Sequence, residues 1–331
     1  MHVNRINSPK DWLSFTPAEG ITLLSAEEWE HLQPDQHCLL VDGNIVHARC
    51  FIWLNSLPET EHGQPAAIGH FEAGDLAAGR QLLSEAVQWI QATRNGPIIG
   101  PINANTWHKY RLVTESGTRL PFLLEPTHPD FYVAAWSAAG FQPLAEFHSA
   151  RMPPQSEEDP RLARVKTRLA QLGVRIRNLN TDDYTQELNR LYSVASISFA
   201  DNLLYTPIDA ADFLALYQPL KKLLQPEYIW LAEHAGRCVG FCFCIPDMAQ
   251  AGRGEAVDTL IVKTLATLPD RRYAGLGLWL TQIAHQAAAA NGLTSVIHAL
   301  MHPGSRIKHF GKADMEIFRR YTLYQHQGQL Q

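Results

Sequence analysis

The hydrophobic pattern of the chain alternates between a period of two and a period near 3.6, and it does so along most of the length. In the C-terminal half, 174–179 reads as a short strand, Thr181 as the cap of a helix over 182–195, and 210–224 as a second helix. Residues 228–233 and 238–245 read as strands joined by the hairpin signal His234-Ala-Gly-Arg. A third strand, 258–267, leads into a helix marked by Leu276, Leu280, Ile283, Ala284 and Ala287, which Asn291-Gly292 terminates. Residues 294–300 form another strand, 305–310 a short helix and 315–324 a final strand. The order is strand, two helices, three strands, helix, strand, helix, strand, which predicts a mixed α/β sheet of the α+β kind.

The N-terminal half repeats part of that order. Asp42-Gly43 is a hairpin turn between strands at 38–41 and 45–54. A strand at 66–71 precedes a long helix at 76–93, closed by Asn95-Gly96. Then come a strand at 97–102, a short helix at 103–110, a helix at 130–139 and a strand at 141–147. Between the halves, the proline- and charge-rich run Arg151-Met-Pro-Pro-Gln-Ser-Glu-Glu-Asp-Pro160 has no apolar period and reads as a linker. The expected division is 1–150, a linker at 151–162, and 163–331.

Composition narrows the class. A hydrophobic fraction of 46% supports packed interiors, and a net charge of −5 argues against bulk nucleic-acid binding. No run approaches the roughly 20 apolar residues that span a bilayer, and the N-terminus lacks a signal-peptide core. Five cysteines without a framework spacing fit reduced thiols. The expectation is a cytoplasmic protein with no membrane and no nucleic-acid partner.

One segment carries a specific chemical signal. Arg272-x-x-Gly275-x-Gly277 lies between an apolar strand and an amphipathic helix. Its glycines allow close approach of a ligand, and the helix N-terminus attracts an anion such as a phosphate. This motif in this element order resembles the GNAT superfamily of N-acetyltransferases, over about 172–326 well and 37–149 weakly. The resemblance implies two tandem acetyltransferase-like mixed-sheet domains, the first degenerate. It also implies acetyl-CoA or another acyl-CoA as co-substrate, held by Leu265, Thr267, Arg271, Arg272, Tyr273, Ala274, Gly275, Leu276 and Gly277. The preceding strand would splay from its neighbour and pair with the pantetheine arm at 264–268. In the first half, Glu72-Ala-Gly-Asp75 stands where the loop motif should be, and carboxylates there would repel a phosphate.

Catalytic candidates follow from the needs of amide formation: a base for the amine and an acid for the thiolate. Glu255 and Asp258 are the carboxylates nearest the strand, although either could be an ordinary edge acid. In many relatives the acid is a tyrosine seven residues after an asparagine; here His309 and His302 take those places, with Tyr321 and Tyr324 in reserve. An imidazolium could protonate a thiolate at neutral pH. Trp107, Tyr110, Arg111 and Glu125 make a candidate acceptor wall, or equally a structural cluster joining the halves. Cys238, Cys242 and Cys244 alternate on one strand face without a metal-ligand spacing, and no other metal pattern occurs.

The expected function is acyl transfer to the primary amine of a small molecule or peptide, by direct attack in a ternary complex, from a monomer or homodimer. A non-catalytic module that binds coenzyme A or a metabolite is the alternative. An aminoacyl-tRNA-dependent transferase is a third, disfavoured by the acidic charge.

Overall fold

The alternating runs become strands of one sheet, and helices cover it where the period lengthens. The computed structural model describes residues 1–22, 24–302 and 315–327. The N-terminal half contains β1 (His2–Ile6), β2 (Thr16–Pro17), α1 (Ala26–Leu32), β3 (Gln36–Asp42), β4 (Ile45–Trp53) and β5 (Ala66–Ala73). It continues with α2 (Leu76–Thr93), β6 (Ile98–Gly100), β7 (Leu112–Glu115), α3 (Phe131–Ala138) and β8 (Gln142–Met152). The C-terminal half contains α4 (Leu162–Leu172), β9 (Arg175–Asn178), α5 (Tyr184–Ser198), α6 (Ala210–Tyr217), β10 (Ile229–His234) and β11 (Arg237–Pro246). It ends with α7 (Met248–Gly252), β12 (Thr259–Thr267), α8 (Leu276–Ala290), β13 (Ser295–Met301) and β14 (Glu316–His326).

The strand order is β1-β3-β4-β5-β6-β14-β8-β13-β12-β11-β10-β9, with β2 added on β4 and β7 on β14. Each half therefore gives its closing strand to the other. β8 runs antiparallel to β13, and β14 runs antiparallel to β6 and β7. The two exchanged strands pair with each other along nearly their whole length, from Glu316↔Arg151 to Gln325↔Gln142. Residues 151 and 152, expected in the linker, belong to β8. The segment after them is pinned rather than loose. Gln282 on α8 donates from Nε2 to the carbonyls of Gln155 and Glu157, both at 3.0 Å.

Both faces of the sheet are buried. α2 and α3 cover one face of the N-terminal half, where Leu82, Leu83, Ala86 and Ile90 pack on Leu40, Cys50 and Ile68. In the C-terminal half, α8 lays Leu276, Leu280, Ala284 and Ala288 on one face, every fourth residue as the pattern predicts. α5 and α6 cover the other. Among the described residues, no helix is long and apolar enough to cross a membrane.

Three expectations change. Residues 103–110 form turns closed by an Ile102↔Tyr110 bridge, not a helix. Asparagine side chains there compete with helical bonding: Asn103 Oδ1 accepts from His70 N, and Asn105 Oδ1 from Trp107 N. The 210–224 helix stops at Tyr217, and a 3-10 turn with Pro219 continues it to Leu223. Cys238 does not share a face with Cys242 and Cys244. A bulge opposite Ala232/Glu233 turns it toward α5, while the other two face α8. The helix expected at 305–310 lies outside the described residues.

Candidate functional site

The connection from β12 to α8 begins with Asp270, whose side chain accepts from Arg272 N at 2.8 Å and from its guanidinium at 2.7 and 2.9 Å. The ion pair neutralises Arg272 within the turn, while Arg271 is exposed. Tyr273 is buried with its hydroxyl 2.8 Å from His234 Nδ1. Arg168 on α4 donates to the carbonyls of Arg272, at 2.6 Å, and Ala274, which fixes the loop from outside. Gly275 follows with φ 83°, a conformation that other residues rarely adopt. A Cβ there would stand 2.8 Å from Val165 on α4, whereas one on Gly277 meets only ordinary contacts, 3.6 Å from Leu265 and 3.9 Å from Thr267. No side chain caps α8. Its first turn keeps the donor groups and the positive dipole end that favour an anion.

From that helix start an open edge leads inward. β12 pairs in parallel with β13 only from Thr259↔Ser295 to Val262↔His298. Beyond Val262 the strands part, and Lys263 sits in a β12 bulge opposite Phe243/Cys244. On the other side, β13 is irregular between His298 and Met301, and Leu300 has φ 58°. The splay expected before 264–268 is thus present.

The equivalent place in the N-terminal half is closed twice over. Asp75 caps α2 by accepting from Ala78 N at 2.7 Å, so a carboxylate occupies the helix N-terminus that Gly275 leaves open in α8. The β5–β6 gap is bridged as well. Ile102 N donates to Ile68 O at 2.9 Å, and a Cβ on Gly69 would lie 2.1 Å from Ile102 O. Glu72 is held by Arg49 Nε at 3.1 Å.

The open edge of β12 ends at a cavity of about 1280 Å³ between the halves, lined by Lys263, Thr264 and Leu265 from one side and by the 103–111 turns from the other. Trp107, Tyr110, Arg111 and Glu125 all line it. Their roles differ. Trp107 bolts the halves together, its Nε1 donating to Thr206 O at 2.9 Å and its ring edge-on to Phe199, Tyr205 and Phe213. Glu125 is consumed by the protein: Arg319 Nε donates to it at 2.8 Å and Tyr321 Oη at 2.6 Å. Burial, with the Glu125 charge beside it, drives the Tyr321 hydroxyl pKa far up. The network goes on through Ser149, 2.9 Å from Tyr321 Oη, to Leu300 N at 3.0 Å. Tyr324, the other reserve tyrosine, packs in the core under α2 and α3.

Arg111 is only 8% exposed. Its guanidinium lies 3.9 Å from the Tyr110 ring centre and 4.0 Å from that of Phe147, and Nη1 reaches Leu300 O at 3.4 Å. Lys263, absent from the sequence-based candidates, shares this end of the cavity. Burial, reinforced by the Arg111 charge, lowers its pKa from 10.5 to about 8. A lysine inside the apolar run Leu260-Ile-Val-Lys-Thr-Leu-Ala was the available signal. His298, also unforeseen, lies in the wall beside it. Gln155 N donates to His285 Nδ1 at 3.1 Å, so His285 Nε2 carries the proton toward His298 Nε2 at 3.0 Å. Burial holds both imidazoles neutral, near 2 for His285 and 4 for His298.

Glu255 and Asp258 stand elsewhere. Asp258 precedes β12 at the end remote from the α8 N-terminus, where Gln250, Thr259 and Thr294 all donate to it within 2.8 Å. Those hydrogen bonds hold its pKa below the usual carboxylate range. Glu255 pairs with Arg253 at 3.0 Å. Neither lines the cavity. His309 lies outside the described residues, and His302 lines the cavity. No metal-binding cluster of His, Cys, Asp or Glu occurs among the described residues.

No protein-family model matches the chain. A curated relative, the bacterial ceramide synthase of Caulobacter vibrioides, is 24% identical over 189 residues, 55% of this chain. The match is 49% of that protein, so the chain spans about half the length of the curated relative. A GCN5-related N-acetyltransferase from Anabaena variabilis superposes with a TM-score of 0.52 at 9% identity, over 98% of this chain and 72% of its own. The glucosamine N-acetyltransferase region of a fungal multi-domain β-N-acetylglucosaminidase gives 0.50 at 12% identity, over 88% of this chain and 33% of its own. With its splayed strands, its uncapped glycine-led helix and its two pseudo-equivalent halves, the chain has the fold of the GCN5-related N-acetyltransferases, in tandem.

Proposed function

We propose that the chain is an acyl-CoA-dependent N-acyltransferase that acylates a primary amine by direct attack in a ternary complex. One observation carries the reading: an uncapped helix N-terminus, an open strand edge and a large cavity lie in sequence along β12 and α8. In this reading the N–H groups at Gly275–Gly277 and the exposed Arg271 hold the donor's pyrophosphate. The edge of 263–267 that faces β13, left open beyond Val262, receives the pantetheine arm, and the amine arrives from the cavity. The amine nitrogen attacks the thioester carbonyl, the new C–N bond forms as the C–S bond breaks, and the thiolate takes up a proton as the nitrogen loses one. His309 is the proposed acid. The relative's name fits the reaction class, because a ceramide is an amide of a long-chain amine.

The test is calorimetric titration of the full chain with acetyl-CoA and palmitoyl-CoA, beside Gly277→Asp. That substitution fits sterically and places a carboxylate in the first turn, where it favours the helix but repels phosphate. Expected are micromolar binding by the wild type and at least about tenfold weaker binding by the variant. No affinity for either acyl-CoA at millimolar concentration would falsify the reading.

A further inference from the structure

The cavity's inner end has an excess of positive charge that the protein does not neutralise. Arg111 and Lys263 line it, and Glu125, the carboxylate beside them, is paired with the buried Arg319. Glu125 is bonded to Arg319 and Tyr321. Among the described residues, neither Arg111 nor Lys263 has an ion pair. Lys263 Nζ reaches only the Leu124 carbonyl, at 3.4 Å. Arg111 Nε is buried with no hydrogen-bond partner. The two aromatic rings attract its charge and the Tyr110 hydroxyl hydrogen-bonds the guanidinium, but the Nε–H is left without an acceptor. A buried charge left this way costs several kcal/mol. A ligand anion would recover that cost.

We propose that Arg111 and Lys263 form a subsite for an acidic group of the acceptor, so that the preferred amine also bears a carboxylate or a phosphate. The planar guanidinium offers Nε–H and an Nη–H toward one oxyanion, and the lysine ammonium adds a second charge. Several features point to a standing substrate group rather than to bulk counter-ions. Arg111 is held between the Tyr110 and Phe147 rings on the side of the 103–111 turns, Lys263 enters from β12, and the two cations line the same cavity. The depressed Lys263 pKa agrees with two unneutralised cations in one low-dielectric pocket. The proposal rests on the reading of this cavity as the acceptor site, but its binding step needs no acyl-CoA.

Calorimetry without any acyl-CoA tests it on the full chain with two matched pairs: tyrosine against tyramine, and O-phosphoethanolamine against ethanolamine. The expected result is that the acidic member of one pair binds at least about tenfold more tightly than its neutral partner, the pair naming the acid. Arg111→Gln and Lys263→Gln should each reduce that preference, and Gly277→Asp should leave it intact. Lys263→Gln carries the test if the arginine variant does not fold. Equal or absent binding of both members in both pairs overturns the proposal, and so does a preference that survives both substitutions. Absence of acyl-CoA binding by the wild type, with the acid preference retained, would refute only the donor-site reading.

Discussion

Glu125 and Arg319 have side chains exposed by only 1% and 2%, and each depends on the other for its charge. Glu125→Gln would leave Arg319 buried and uncompensated, so a loss of roughly 3–5 kcal/mol is expected in urea unfolding. A loss under 1 kcal/mol would show that water reaches the pair. Lys263 behaves oppositely. Its folded pKa, about 8, lies below its ordinary 10.5, so the unfolded chain binds more protons between those values. Stability should therefore rise with pH through that window, with the full penalty present below about 8. Lys263→Met should be more stable than the wild type at pH 7 and lose its advantage above pH 10.5; a pH-independent difference would contradict the assigned burial. At this scale the sequence was only partly legible. Trp107, Tyr110 and Arg111 were singled out because ligand-capable types crowd 100–111, with Glu125 after the next apolar run, and all four line one cavity; nothing in that pattern shows that Arg319 and Tyr321, nearly two hundred positions on, would claim Glu125. Glu255 and Asp258 were named from their nearness to β12 in sequence. A strand about 3.3 Å per residue long carries such neighbours away from its other end.

Single elements explain why one half keeps an uncapped helix N-terminus and the other does not. α2 and α8 begin at pseudo-equivalent places, one capped by Asp75 and the other led by Gly275. Asp75→Ala should cost about 1 kcal/mol through the lost cap while leaving acyl-CoA affinity unchanged. A change in acyl-CoA affinity would mean that the N-terminal half shares in donor binding. This contrast was readable from Glu72-Ala-Gly-Asp75 against Arg272-x-x-Gly275-x-Gly277, because caps and glycine turns are local signals. Helix α4 was not read. Leu162, Val165, Leu169 and Leu172 have helical spacing, but the proline- and charge-rich run before them drew the reading to a linker; Leu162 and Leu169 are buried, and Val165 and Arg168 pack against a loop a hundred residues away. That packing also makes Gly275 a poor place to probe ligand binding, since any side chain there meets Val165 first.

The exchange of β8 and β14 ties the halves into one cooperative body. Neither half can complete its own sheet: β6 has its outer neighbour in β14, and β13 has its outer neighbour in β8. Periodicity identifies strands but is silent on partners, so the division near residue 150 followed composition while the chain's hydrogen bonds cross it. The cavity depends on the same exchange, because β14 brings Arg319 and Tyr321, and β8 brings Phe147 and Ser149, to the junction. Two independent halves would unfold in two calorimetric transitions. Strands shared in this way predict a single transition, with calorimetric and van't Hoff enthalpies equal. A chain cut between Ser156 and Glu157 gives the stronger test. Fragments 1–156 and 157–331 expressed apart should lack cooperative unfolding, whereas together they should copurify and regain it, since the exchanged strands can pair without the covalent link. Independent cooperative folding of either fragment would show that the closing strand is dispensable and that the tandem halves are separable units.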